Sequence, residues 1–378
     1  MPASSSRRAR RIGLLLIGNV ALAAGLLALI EGLSSLAFGV RDIYRQSGLA
    51  ERRHTDYDPE LGWVNRPNVG LEDFYGPGRP FHTNARGFRG TEDVDEAVAP
   101  GRRRIICSGD SFTLGYGVGD RDTWCHRLAD ADPRLETVNM GQGGYGIDQA
   151  FLWFRRDAAD LERHLHLFAV ITDDVMRMQS DHFLGYGKPV LKLESGSLAV
   201  GNVPVPRWPY RLPFLTRNLP LLAQLRVVQL FNELRSGPAE KPALALREQR
   251  KRDAESSRVI RVLFRELAAL NRQRSALTVV VHLPTIQDFD LRTSRRWAAE
   301  LSKSAAAAEI PYIDLRSELR QLSRRALMAL YIQPGEVDFH GAAYHYNEKG
   351  NRLIAERLYR RLLARPDTRR ALGADRSG

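Results

Sequence analysis

Three kinds of patterning divide the chain. From Ile12 to Ile30 it is apolar on every face, with Asn19 the one strongly polar member. At about 1.5 Å per residue this run spans roughly 30 Å as a helix, the thickness of a bilayer's hydrocarbon core. From residue 103 a different pattern begins, in which short apolar runs alternate with stretches whose apolar residues recur every three or four positions. Arg104–Ser108, Thr137–Met140, Leu167–Thr172, Leu277–Leu283 and Tyr312–Leu315 predict five strands, the fourth built on the β-branched run Thr278-Val279-Val280-Val281. Trp124–Ala131 and Asp148–Leu161 predict helices, and Val259, Val262, Leu263, Leu267 and Leu270 make one apolar helical stripe. Strands alternating with helices imply a parallel sheet covered on both faces, with any ligand site at the carboxyl ends of its strands.

The remaining stretches follow neither period. Residues 41–102 read as an irregular approach segment, with turn signals at Asp58-Pro59 and Gly76-Pro77-Gly78 and a tight loop at Asn84–Gly90. A long insertion at about 177–255 separates the third and fourth strands. It predicts a hairpin over Val190–Val200 around Ser195-Gly196, followed by Trp208, Tyr210 and Phe214. Long loops of this kind serve as lids or binding surfaces, or only pack, and the residues leave those readings open. Residues 366–378 are polar and predict a disordered tail.

Charge changes the picture at the amino end. Arg7, Arg8, Arg10 and Arg11 precede the apolar run and no acid does, which favours a cytoplasmic tip and an anchor over 1–40. Glu31 then marks the outer edge, and the rest of the chain lies outside. A cleaved signal peptide is the rival reading. The run is longer than a signal's apolar region, and no clean small-x-small site follows it. The net charge of +12 is spread over scattered arginines without a nucleic-acid motif, so attraction to anionic lipid or an acidic polysaccharide fits it better than nucleic acid. Cys107 and Cys125 are the two cysteines. Apolar residues precede Cys107, so two buried thiols are the preferred reading and one bridge the alternative. The nine histidines show no ligand spacing, and neither metal nor cofactor is expected.

Candidate chemistry starts at Gly109-Asp110-Ser111-Phe112, directly after the first strand. A serine at a strand-to-helix turn exposes its hydroxyl and leaves its amide free, but needs a base and an oxyanion hole to act as a nucleophile. By itself the tripeptide is also a common turn. Three further segments join it: Asn139–Gly146 after the second strand, Thr172-Asp173-Asp174 at the end of the third, and His345–Ala355, a histidine leading into the last helix. Together they resemble, in order, the four blocks of the SGNH/GDSL hydrolases, over about residues 103–365. The approach segment, with Asn84 and Gly87-Phe88-Arg89-Gly90, is similar to that of membrane-anchored bacterial members.

This resemblance implies a flavodoxin-like three-layer α/β/α sandwich on a mainly parallel five-stranded sheet, beside the one N-terminal transmembrane helix. It also implies roles. Ser111 is the nucleophile and its amide an oxyanion donor, Gly144 gives a second amide, and His345 is the general base. His340 lies outside the helix-leading pattern and ranks well behind His345. Two positions depart from the family. Asp173 stands where the third donor, an asparagine amide, is usual, and an ionised carboxylate accepts hydrogen bonds without donating any. The acid that orients the histidine is usually two or three residues before it, where this chain has Ala343 and Ala342. Asp338 is the nearest upstream carboxylate and the predicted partner, the alternative being a Ser–His dyad. The expected activity is a serine esterase or deacylase on acylated glycans or lipids outside the cytoplasm. A glycan O-acyltransferase and a non-catalytic glycan-binding or assembly protein are the alternatives.

Overall fold

The computed structural model describes residues 3–45, 53–184, 186–205, 226–227, 230, 240–289 and 292–374. Two compact units divide the chain. One holds Met1–Ser47, Leu184–Gly187 and Pro206–Gln249; the other holds Gly48–Phe183, Lys188–Val205 and Arg250–Gly378. In the first unit, α1 (Ala3–Arg45) is one continuous helix, and its stretch Arg11–Ala37 is long and apolar enough to cross a membrane. Glu31 does not end it. Its carboxylate is buried and accepts from the backbone N–H groups of Arg226 and Val227 at 2.6 and 2.9 Å. A buried carboxylate requires such partners.

The second unit is built on five parallel strands: β1 (Arg103–Gly109), β2 (Leu135–Gly141), β3 (Leu165–Val170), β4 (Leu277–His282) and β5 (Tyr312–Asp314). Their spatial order is β5-β4-β3-β1-β2, every pairing is parallel, and this is the flavodoxin-like order. β3 is buried at all six positions, as expected of a strand covered on both faces. Alternate side chains feed two layers. Ile105, Cys107, Leu165, Leu167, Val279, Val281 and Ile313 pack with Trp124, Leu128, Ile354, Leu358 and Leu362. Those partners lie on α3 (Trp124–Ala131) and on the helix Glu348–Leu363. From the same strands, His166 stacks on Phe154 of α4 (Ile147–Asp157) at 3.9 Å, and Phe168 meets Phe264 of the helix Glu240–Arg272 at 6.3 Å.

Four sequence expectations need correction. Cys107 and Cys125 are bridged rather than free, with Cα atoms 6.3 Å apart. Cys107 points from β1 toward α3, which carries Cys125, a relation that no spacing along the chain reveals. Residues 53–102 are not irregular throughout. Thr55–Asp58 pairs with Gly62–Asn65, and Gly70–Leu71 with Phe81–His82, as two short antiparallel hairpins. The third strand stops at Val170, and Thr172–Arg177 is the short helix α5 (α2 being Ser111–Leu114). The tail is ordered where it is described: Pro366–Ala371 is helical, with Pro near its first position and Thr368 and Leu372 buried. A polar stretch escapes disorder when one or two of its residues find a core to enter. Val190–Glu194 and Ser197–Gly201 form a hairpin whose turn residues, Ser195 and Gly196, both have positive φ, the geometry that matches strand twist. Trp208, Tyr210 and Phe214 lie outside the described residues, as does most of the rest of the insertion between 206 and 239.

Candidate active site

The site is assembled from the loops that leave the carboxyl ends of β1, β2 and β3, together with one loop from the far end of the chain. β1 runs directly into α2, of which Ser111 is the first residue. Asp110 caps that helix, its Oδ1 accepting from the Phe112 N–H at 2.9 Å. Gly109 is required here, because a Cβ would run into Thr113 and lie 2.9 Å from the Ala169 carbonyl oxygen. The Ser111 amide, in the first turn, has no intrahelical acceptor.

His345 arrives from a turn in which Tyr344 has φ of +66°. The backbone of this turn is held by Ile332 N–H to His345 O at 2.8 Å. Asn347 caps the following helix through the Gly350 N–H at 3.0 Å, and Asn351 of that helix accepts from Trp124 N–H while donating to Tyr346 O. These bonds place the imidazole between Phe112 and Tyr116, with ring centroids 4.5 and 5.2 Å away. His345 Nε2 and Ser111 Oγ are then 2.7 Å apart, although 234 residues separate them. Burial pushes the His345 ring down to about 4. Asp110 opposes that shift, and Arg177 adds to it. A neutral imidazole at hydrogen-bond distance from a hydroxyl can accept its proton.

Asp338 does not join this pair. It is exposed, and Nδ1 of His345 is buried with no hydrogen-bond partner among the described residues. The backbone carbonyls of Ala343 and Ala342 favour the charged ring, though neither makes a bond of good geometry with Nδ1. The predicted carboxylate partner is therefore replaced by a Ser–His pair. Asp338 fails because it lies in the bend that precedes Phe339, whose ring packs among Phe74, Tyr75 and Tyr116 and fixes that segment.

Gly144 follows β2. Its φ is +74°, and a Cβ there would sit 2.5 Å from Cε1 of Phe183. Its N–H makes no hydrogen bond among the described residues. The loop is pinned from the approach segment: Trp63 Nε1 donates to Gly143 O at 2.8 Å, Tyr145 Oη donates to Trp63 O at 2.5 Å, and Gln149 donates to Leu61 O at 2.8 Å. Asp173 sits in the first turn of α5, its carboxyl makes no hydrogen bond among the described residues, and it is only partly exposed. Burial raises its carboxyl above the usual range, Arg177 opposes, and Asp110 and Asp288 add to the rise. Only the protonated form of such a carboxyl donates a hydrogen bond, as the usual amide does.

Four residues of this region were not singled out for a role by sequence reasoning: Trp63, Arg89, Arg177 and Phe183. Arg89 is buried and its guanidinium reaches Asp120 Oδ1 and the carbonyls of Leu114, Gly115, Val118 and Pro80, holding the chain that follows α2. Only its place in Gly87-Phe88-Arg89-Gly90 hinted at it. Arg177, four residues after Asp173, was legible in principle from helical spacing.

No family model matches the chain, and no curated protein matches it in sequence. Solved structures do. A lipolytic protein of the G-D-S-L family from Desulfitobacterium hafniense is 13% identical, covering 68% of this chain and 99% of its own, at a TM-score of 0.37. A G-D-S-L family protein from Veillonella parvula is 16% identical over 68% and 97%, at 0.35. The acetyl xylan esterase AlAXEase is 12% identical over 68% and 98%, at 0.37. Likenesses this remote carry neither activity nor substrate across, and the weight rests on the residues themselves. In fold, and in where its four sequence blocks sit on that fold, the chain resembles the SGNH/GDSL hydrolases.

Proposed function

We propose that this protein is a serine esterase that removes acyl groups from glycans or lipids outside the cytoplasm, held at the membrane by α1. One observation carries the reading: Ser111 Oγ and His345 Nε2 are 2.7 Å apart at the carboxyl edge of the sheet. In the step this implies, His345 takes the hydroxyl proton as Ser111 attacks the ester carbonyl. The amides of Ser111 and Gly144 receive the oxyanion, and the imidazolium returns the proton to the leaving alcohol. Water then releases the acyl group by the same sequence. The Cys107–Cys125 bridge suits an oxidising compartment, and the arginines ahead of the apolar stretch suit a cytoplasmic N-terminus.

The test is labelling of the full chain in detergent by a fluorophosphonate probe, which reacts with an activated serine. Wild type is expected to label, with Ser111→Ala unlabelled and His345→Ala reduced by orders of magnitude. The double variant should add little, since the two act as one unit. Absence of labelling in the folded wild type would favour a non-catalytic, glycan-binding role, a reading supported by Asp173 at the third donor place. Transfer of the labile acyl group to a sugar in preference to water would favour the acyltransferase.

A further inference from the structure

Arg177 occupies the last turn of α5 and shares a helix face with Asp173, one turn earlier. Its Nη1 donates to Asp174 Oδ1 at 2.8 Å, to Asp110 Oδ2 at 3.0 Å and to the Tyr145 carbonyl at 3.2 Å. Those acceptors belong to the loops after β3, β1 and β2 respectively, the same three that bear Asp173, Ser111 and Gly144. Ser111 Oγ lies 3.4 Å from the same Asp110 oxygen, so guanidinium and serine hydroxyl are no further apart than these two distances laid end to end. The Phe183 ring lies 5.1 Å from the Arg177 guanidinium carbon and is also the ring that a Cβ on Gly144 would strike.

The charge balance gives this placement a purpose. Three carboxyl groups, Asp110, Asp173 and Asp174, act on one another, and Asp110 lies against Ser111. Uncompensated, this field would oppose an oxyanion, and Asp110 would raise the proton affinity of His345 against the effect of burial. The charged groups acting on His345 are Asp110, from the nucleophile turn, and Arg177, from α5; Phe112 and Tyr116 present rings. Arg177 is the one cation among them.

We infer that Arg177 is a positioning residue that ties the three oxyanion loops together and cancels the carboxylate field, so that an aspartate can stand at the third donor place. This rests on the esterase reading. The directions of titration agree: burial would lower the guanidinium, yet Asp174, Asp110 and Asp173 hold it above its usual value.

The experiment follows kcat/KM for p-nitrophenyl acetate, and the rate of fluorophosphonate labelling, against pH for the full chain. Removing a charge this close to the base is expected to move the acid limb of Arg177→Gln upward by about one unit or more. Its plateau should fall by about 100-fold, the scale of one lost oxyanion donor. Arg177→Lys should return the limb to the wild-type position while recovering only part of the plateau. A Gln variant that loses rate equally at every pH, with the limb unmoved, would overturn the role and leave the esterase reading standing. If that variant does not fold, Asp110→Asn decides, because it removes the carboxylate that Arg177 offsets at His345 and keeps the cation. Its limb is expected to move downward, and an unmoved limb again overturns the role. An unlabelled wild type is the separate result that removes the esterase reading itself.

Discussion

Replacing Gly144 with alanine tests the proposed oxyanion pocket. Two costs can be read from the structure. With φ at +74°, an L-residue pays on the order of 1–2 kcal/mol for left-handed backbone. The new methyl would also lie 2.5 Å from Phe183 Cε1, closer than carbon atoms approach, so either the ring or the loop must move. Trp63 and Tyr145 pin the loop, and Arg177 lies against the ring. Displacing the loop carries the amide away from the oxyanion, a loss of about 2.7–4 kcal/mol or 100- to 1000-fold in kcat. Gly144→Ala is therefore expected to cut hydrolysis of p-nitrophenyl acetate and fluorophosphonate labelling by at least 100-fold, with KM little changed. Adding Phe183→Ala removes the clash but not the backbone strain. The double variant should recover to within about 5- to 30-fold of Phe183→Ala alone, the factor that 1–2 kcal/mol represents. A Gly144→Ala protein with normal turnover would show that this amide does not serve the oxyanion. A loss that Phe183→Ala leaves untouched would refute the steric argument.

Three further outcomes are expected. Asp173→Asn supplies a neutral donor at constant size, and should raise turnover on a simple ester about tenfold at neutral pH, a step of about 1.4 kcal/mol. That advantage should shrink as pH falls and the wild-type carboxyl, whose affinity for protons is already raised, becomes protonated; an unchanged or lower rate in the variant at all pH values would mean that Asp173 works as an acceptor. Folding stability should decline below about pH 6.5, because burial holds His54 at about 3 and His282 at about 4, with Arg89 adding to the first shift and Asp288 opposing the second. Above 6.5 both states are neutral. Below it the unfolded chain takes up protons that the folded one refuses, until pH reaches the folded values, so by pH 5 each ring costs on the order of 2 kcal/mol. Equal midpoints of urea unfolding at pH 7 and pH 5 would refute this. Removing the bridge that spans 18 residues, by Cys107→Ala with Cys125→Ala, should cost about 3 kcal/mol on the same assay, and an unaltered midpoint would show that the bridge adds nothing to stability.

Some of this was legible in the sequence alone. The five core strands were found within a few residues of their ends, because period and β-branched runs are local properties of the chain. The apolar helix was legible for the same reason, being a matter of length and composition. Ser111 and His345 were paired only because short motifs mark them; nothing local brings together two residues 234 positions apart. Tertiary structure decided the rest. Whether Cys107 meets Cys125 depends on which face of β1 turns toward α3. Asp338 lies seven residues before His345 yet makes no hydrogen bond to it, because the anchored ring of Phe339 fixes the chain with Asp338 facing solvent. The approach hairpins were unreadable since two to four residues carry too little period to register. Arg177 acquires its role only when the loops after three separate strands converge on it, for a side chain's partners across loops are set by closure of the whole sheet, to which patterning along the chain is blind.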